Sequence, residues 1–156
     1  MLFLVDAMLG NIAKKLRLFG FDSEYFSDID DAQLIEKAKN ENRTIISRDR
    51  LLIDRAKKEK IPSIYITKEN EIDQFLEIIS IVLLQLNEIS GNVARCSKCN
   101  STTSQIDKSK IENKIPQRVL EYNDKFWKCD KCDQIYWEGT HIKKLQGFTD
   151  KLKSQS

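Results

Sequence analysis

The chain opens on a run with no polar face. Leu2, Phe3, Leu4 and Val5 follow one another without interruption, and the run stops at Asp6. A short, wholly apolar segment predicts a strand buried on both faces, as in a parallel sheet. Met8, Leu9, Ile12, Leu16 and Phe19 then recur at helical spacing, and Gly20 supplies a C-terminal stop. Phe21–Phe26 reads as a second strand, Ala32–Asn40 as a helix, and Thr44–Ser47 as a third strand. A helix follows Asp49 through Lys58. Ile61–Thr67 reads as a fourth strand, and 70–89 as a long last helix. In that helix Phe75, Leu76, Ile78, Ile79, Ile81, Val82, Leu83, Leu84 and Leu86 cover more than one face. It is therefore expected to be buried on several sides, between the sheet and a second module or against another copy of the chain.

Alternation of strand and helix at this spacing predicts an α/β fold with a parallel sheet and helices on both faces. Right-handed crossovers bring every strand's C-terminal end to one edge, the edge where open α/β sheets bind ligands. Asp6 follows the first strand, Asp28, Asp30 and Asp31 the second, and Asp49 the third. Carboxylates gathered at one edge repel one another unless a cation neutralises them, and an all-oxygen donor set suits Mg²⁺ or Mn²⁺. Asp30 and Asp49 also have a plain structural reading, as N-caps of the helices that follow them. Lys14, Arg17, Arg48 and Arg50 near this edge could meet a phosphate or could be ordinary solvated or ion-paired residues.

The second half has a different character. Residues 1–90 hold 13 basic against 16 acidic residues, whereas residues 91–156 hold 13 against 8, so the formal net charge of +2 is an average over an acidic and a basic half. That asymmetry suggests chemistry on the first and polyanion binding on the second. All four cysteines lie in the basic half, as Cys96-x-x-Cys99 and Cys129-x-x-Cys132 separated by 29 residues. Two such knuckles predict a structural zinc ribbon with a closed shell of four thiolates. Gly91-Asn92 marks the boundary, giving domains at 1–90 and 91–156. Phe126, Trp127, Tyr136 and Trp137 lie among Lys125, Lys128, Lys131, Lys143 and Lys144. The aromatics either stack bases or make the small core of the ribbon. His141 is not expected as a further ligand, and the basic tail Lys151–Ser156 is expected to fray.

With 32% charged and 40% hydrophobic residues the composition is that of a globular protein. No apolar run reaches the ~20 residues of a membrane span, and the N-terminus does not read as a secretory signal. A cytoplasmic location and no membrane partner are expected. The single histidine leaves no Ser-His-Asp arrangement.

The runs FLVDAMLGNIAKKLRLFGFD and DDAQLIEKAKNENRTIISRDRLL, the first C-x-x-C, and FWKCDKCDQIYWEGTH together resemble the PIN-like ribonuclease family of the mut-seven C-terminal domain type. In many of its members a zinc ribbon follows the nuclease-like domain. The resemblance spans nearly the whole chain. It implies a PIN-like three-layer α/β/α sandwich followed by a small zinc ribbon, and metal-dependent cleavage of RNA. By resemblance Asp6 falls on the first-strand aspartate, Asp31 (with Asp30 beside it) on the acid opening the second long helix, and Asp49 on the aspartate of a Thr-Arg-Asp motif. Here that motif reads Ser47-Arg48-Asp49, which keeps the hydroxyl.

The function expected is that of a Mg²⁺- or Mn²⁺-dependent endoribonuclease. Asp6, Asp31 and Asp49 would hold the metal, with Asp30 in the same catalytic group. Lys14, Arg17, Arg48, Trp127, Trp137, Lys143 and Lys144 would hold RNA, with rRNA and tRNA among the candidates, and a homodimer is a possible assembly. The alternative is a non-catalytic RNA- or ribosome-binding protein that retains the fold. A phosphoacceptor domain of receiver type also clusters aspartates at strand ends, but it offers no place for a zinc ribbon.

Overall fold

In the computed structural model, which describes residues 1–155 and only the backbone of Thr140 and His141, four strands form a parallel sheet. They are β1 (Leu2–Val5), β2 (Asp22–Tyr25), β3 (Thr44–Ser47) and β4 (Ser63–Tyr65), in the order β2-β1-β3-β4. The helices between them are α1 (Gly10–Leu18), α2 (Asp31–Glu41) and α3 (Arg50–Lys58), and α4 (Glu71–Val82) follows β4. A single 3₁₀ turn, Ala7–Leu9, joins β1 to α1.

The uniform apolar character of β1 is explained by its central place. Phe3 and Val5 face one layer together with Ile46 and Ile64, against α1 and α4. Leu4 and Ile45 face the other, against Leu34, Ile35 and Ala38 of α2 and Leu52, Ile53 and Ala56 of α3. Side chains alternate across a strand, so only a strand covered on both sides needs apolar residues at every position. The fold is a mixed α/β sandwich with a parallel sheet between two helical layers, followed by a module carrying the four cysteines.

That module contains an antiparallel sheet of β5 (Thr103–Ile106), β6 (Phe126–Cys129) and β7 (Ile135–Trp137), with β6 central. The long spacing between the knuckles is occupied by a 3₁₀ turn and α5 (Gln117–Tyr122). Ile111, Leu120 and Phe126 form its small core, with Val119, Ile135 and Trp137 packed against them. The chain ends in α6 (Thr140–Gln155).

Two expectations are corrected. The helix predicted over 70–89 stops at Val82, because Leu83 takes a left-handed backbone (φ 51°) that closes it. The following segment leaves the helix yet stays apolar, since Leu84, Leu86 and Ile89 pack on the first core. The tail expected to fray from Lys151 is helical to Gln155, and Ser156 lies outside the described residues. Leu145 and Leu152 are buried in the core of the parallel-sheet unit, and Phe148 meets Phe75 edge-on at 5.3 Å. α6 thus covers the second apolar face of α4, the face expected to meet a second module or another copy of the chain.

The two sheets are joined at the exposed side of β2. The backbone N–H of Ser23 donates to Asn100 Oδ1 (2.9 Å), and its carbonyl accepts from Arg17 Nε (2.8 Å). Arg17 also donates from Nη1 to the carbonyl of Ser97, within the first knuckle. Asn100 stands in the left-handed region (φ 69°) directly after Cys99. The edge of a parallel sheet, which would otherwise offer unpaired backbone groups, is therefore occupied by the knuckle. On the other side of the joint, Gly91 lies so close to the Trp127 indole that a Cβ there would overlap the ring.

Candidate functional site

The C-terminal edge of the parallel sheet carries the carboxylates. Asp6 directly follows β1, and its backbone N–H bonds to the Ile46 carbonyl, so it lies beside the end of β3. Its Oδ1 accepts from the Ala7 N–H (2.8 Å), capping the 3₁₀ turn, and its Oδ2 accepts from Ser47 Oγ (2.7 Å). Ser47 Oγ in turn accepts from the Asp49 N–H (2.9 Å). Asp6 and Asp49 are thus tied through one buried hydroxyl. Asp49 caps α3, with Oδ1 accepting from Leu51 and Leu52 N–H, which leaves Oδ2 with no hydrogen-bond donor among the described residues. Asp30 caps α2 through the Gln33 N–H. Asp31 opens the first turn of α2, exposed, with no hydrogen bond to its carboxylate among the described residues.

Electrostatics tie Asp31 to the others. Partial burial and then the negative charges of Asp49, Asp6 and Asp30 hold its carboxyl above the ordinary carboxylate range, against the opposing charge of Arg55. The charges of the neighbouring edge acids thus reach Asp31. The gathering is looser than that of the cysteines. Among the described residues only the four sulfurs form a group whose ligand atoms all lie within 4.8 Å of one another. The donor set is chemically suited to a hard cation, because Asp49 Oδ2 and both Asp31 oxygens have no protein donor. Mg²⁺ in particular keeps several of its own waters, which does not require the carboxylates to touch.

The second site is the cysteine cluster. Cys96 and Cys132 Sγ lie 3.6 Å apart and Cys99 and Cys129 Sγ 3.4 Å apart, all as free thiols. A tetrahedral shell with Zn–S near 2.3 Å places sulfurs about 3.8 Å apart, so the cluster fits zinc. N–H groups of Lys131 and Cys132 point at Cys129 Sγ. Burial alone would raise the Cys96 thiol, but hydrogen bonds from Tyr136 Oη and the backbone of Cys99 and Lys98 bring it down to about 7. The same burial and the neighbouring sulfur raise Tyr136 to about 12. Four thiolates would close a tetrahedral zinc shell and leave no position for a reacting water.

The residues expected to hold RNA fare unequally. Arg17 is buried and spent on Ser23 and Ser97 carbonyls, with burial drawing its pKa down from the ordinary guanidinium value. It is a structural joint rather than a phosphate ligand. Trp127 is only 2% exposed and donates from Nε1 to Asn92 Oδ1 (2.9 Å), so its ring offers no face to a base. Trp137 is half-buried against Phe126 in the module's core. Lys14, Lys143 and Lys144 are exposed. Arg48 stands at the carboxylate edge, 3.2 Å from Glu69, a pair whose acid is almost fully solvated. The side chain of His141 lies outside the described residues.

Sequence reasoning gave no role to three groups that the structure makes central. Ser47 was legible only as a hydroxyl kept in a motif resemblance, not as a bridge. Asp22 and Asn100 meet at 2.7 Å across 78 positions of sequence, and no local pattern signals such a contact.

Among the described residues no helix is long and apolar enough to cross a membrane. A family model described as the Mut7-C RNAse domain matches residues 1–149, and the chain belongs to that family. No curated protein and no solved structure matches it.

Proposed function

We propose that this member of the Mut7-C RNAse domain family is a Mg²⁺- or Mn²⁺-dependent endoribonuclease acting in the cytoplasm, with Asp6, Asp31 and Asp49 as its metal-binding acids. The observation that carries the reading is the convergence of acids from three adjacent strands on one edge, with Asp6 linked to Asp49 through Ser47. A bound divalent cation would activate water and neutralise charge developing on the scissile phosphate. The protein's own part is to hold the acids. Ser47 fixes the Asp6 carboxylate by donating to Oδ2. The cap fixes Asp49 through Oδ1 and leaves Oδ2 for the cation. Asp30 supports the same region by starting α2, which presents Asp31. Arg48 can exchange its solvated partner Glu69 for a phosphate at little cost. Cys96, Cys99, Cys129 and Cys132 would hold a structural Zn²⁺ and so fix the first knuckle, which meets β2 through Asn100 and Ser97.

The wider spacing of the carboxylate oxygens relative to the sulfurs favours one other reading, an RNA-binding protein that keeps the fold without cutting. Incubation of end-labelled RNA with zinc-loaded protein, with and without Mn²⁺, separates the two. Cleavage that requires Mn²⁺ and disappears in Asp6→Asn supports the nuclease. RNA retained intact by a protein that binds it supports the alternative.

A further inference from the structure

With Trp127 buried and Trp137 packed in the module's core, the surface that would hold RNA has to be found elsewhere. A groove of about 560 Å³ runs between α1, the start of α4, and α6. Lys14 and Lys15 line it from α1, and Lys144 and Lys151 line it from α6. The two α6 lysines are seven residues apart, so they stand two turns apart on one face of the helix. Gly147 lies between them with nothing within 4 Å of where a Cβ would project, which keeps that face of the groove open.

The charges are arranged unequally. Lys15 is committed: it pairs with Glu71 at 2.6 Å and lies 4.8 Å over the Phe148 ring, bracing the groove's wall. Lys14, Lys144 and Lys151 have no carboxylate partner among the described residues. Three uncompensated ammonium groups around one concavity form a site for a polyanion. The groove also has a direction. Asn11 in the first turn of α1 and Asn70 at the start of α4 line it. Asn11 lies six residues after the end of β1 and Asn70 five after the end of β4, at the N-terminal ends of helices that leave the sheet from the edge that bears Asp6 and Asp49.

We infer that this groove, and not the cysteine module, is the track along which an RNA backbone reaches the carboxylate edge, its phosphates met by Lys14, Lys144 and Lys151. The inference rests on the nuclease reading only for its direction toward the acids. Binding itself does not depend on cleavage. α6 accordingly has two faces with two tasks: Leu145, Phe148 and Leu152 seal the core, and the lysines line the groove.

The test is fluorescence anisotropy with a fluorescein-labelled oligouridine and zinc-loaded full-length protein, in buffer without added divalent cation. The variants are the triple Lys14→Gln/Lys144→Gln/Lys151→Gln and a control triple of exposed lysines on and after α3, Lys57→Gln/Lys58→Gln/Lys60→Gln. All six lysines are exposed, so both variants should melt as wild type does. The groove triple should bind at least about tenfold more weakly, and its slope of log K against log salt should fall by about 2, near 0.7 for each lost contact on a single strand. The control triple should keep wild-type affinity. Equal binding by wild type and the groove triple, or an equal loss in the control, overturns the inference. Failure of the nuclease reading looks different: the groove triple then still loses binding, while wild type leaves the RNA uncut with Mn²⁺.

Discussion

The joint between the parallel sheet and the cysteine module should be destabilised by Asp22→Ala. Asp22 opens β2, and its Oδ1 accepts from Arg43 Nη1 and from Asn100 Nδ2, both at 2.7 Å, while its Oδ2 lies 3.6 Å from Arg95 Nη2. One carboxylate thus gathers a group from β3's approach and two from around the first knuckle. A hydrogen bond to a charged group contributes about 1.5–3 kcal/mol when buried. Asp22 is a quarter exposed, Arg43 keeps Glu41 and the Phe3 carbonyl, and Asn100 keeps Ser23. Those residual contacts and solvent screening reduce the two short bonds to about 2–3 kcal/mol in total. For a chain of this length that lowers Tm by roughly 4–12 °C.

The pH dependence gives a second check on Asp22. Burial alone would raise its pKa, but hydrogen bonds from Arg43 and Asn100 and the charges of Arg43 and Arg95 outweigh it and hold the carboxyl below the ordinary range. A lowered folded-state pKa gives stability that is present above the unfolded value and lost as pH falls through the folded one. The gap between wild type and Asp22→Ala should therefore be full at neutral pH and close below about pH 4. Urea unfolding of both proteins, zinc-loaded at neutral pH and metal-free through the acid range where thiolates protonate and release zinc, measures it. A gap under about 0.5 kcal/mol at neutral pH, or one that stays constant into acid, refutes the reasoning.

Three further outcomes follow from the same geometry. Removing zinc with a chelator should loosen more than the module, because Asn100 and Ser97 beside the knuckle hold β2: amide exchange at Ser23 should accelerate along with that of residues 96–100. Asp31→Asn should leave the metal-free protein as stable as wild type or more so at neutral pH. A raised folded-state pKa costs stability above it, and that cost is relieved in acid, so the difference should vanish as pH falls through the Asp31 pKa in thermal melts. Ser47→Ala should lower Mn²⁺-dependent cleavage by about 10–100-fold, the usual cost of losing a group that orients a metal ligand, and a cleavage rate equal to wild type would remove Ser47 from the site.

How much of this was legible in the chain varies by element. β1 and β3 could be read to the residue, because their buried apolar centres (residues 3–5 and 45–46) are short and each stops at a polar residue. The edge acids could be placed from the chain itself, since parallel topology alone fixes which ends of the strands meet. The end of α4 could not, because Leu83 is a residue that ordinarily continues a helix, and the left-handed turn there is imposed by packing of Leu84 and Leu86 on the core. The C-terminal helix was hidden by composition: Lys151 and Lys153 suggest a solvated tail, while Leu145, Phe148 and Leu152, spaced three and four apart, carry the weak signal of a docking face. The fate of Arg17 and Trp127 was not legible at all. Both are residue types that serve nucleic-acid contacts or structural joints, and only their burial distinguishes the two uses.

The central claim, that Asp6, Asp31 and Asp49 form one metal-dependent site that cuts within an RNA strand, is tested most directly with a circular oligoribonucleotide, which has no end to attack. Zinc-loaded wild-type protein should linearise the circle only when Mn²⁺ or Mg²⁺ is added, and Asp49→Asn, which can still cap α3 through its side-chain oxygen, should leave it closed under the same conditions. A circle left intact by wild type at saturating Mn²⁺, or opened equally well by Asp49→Asn, would contradict the account.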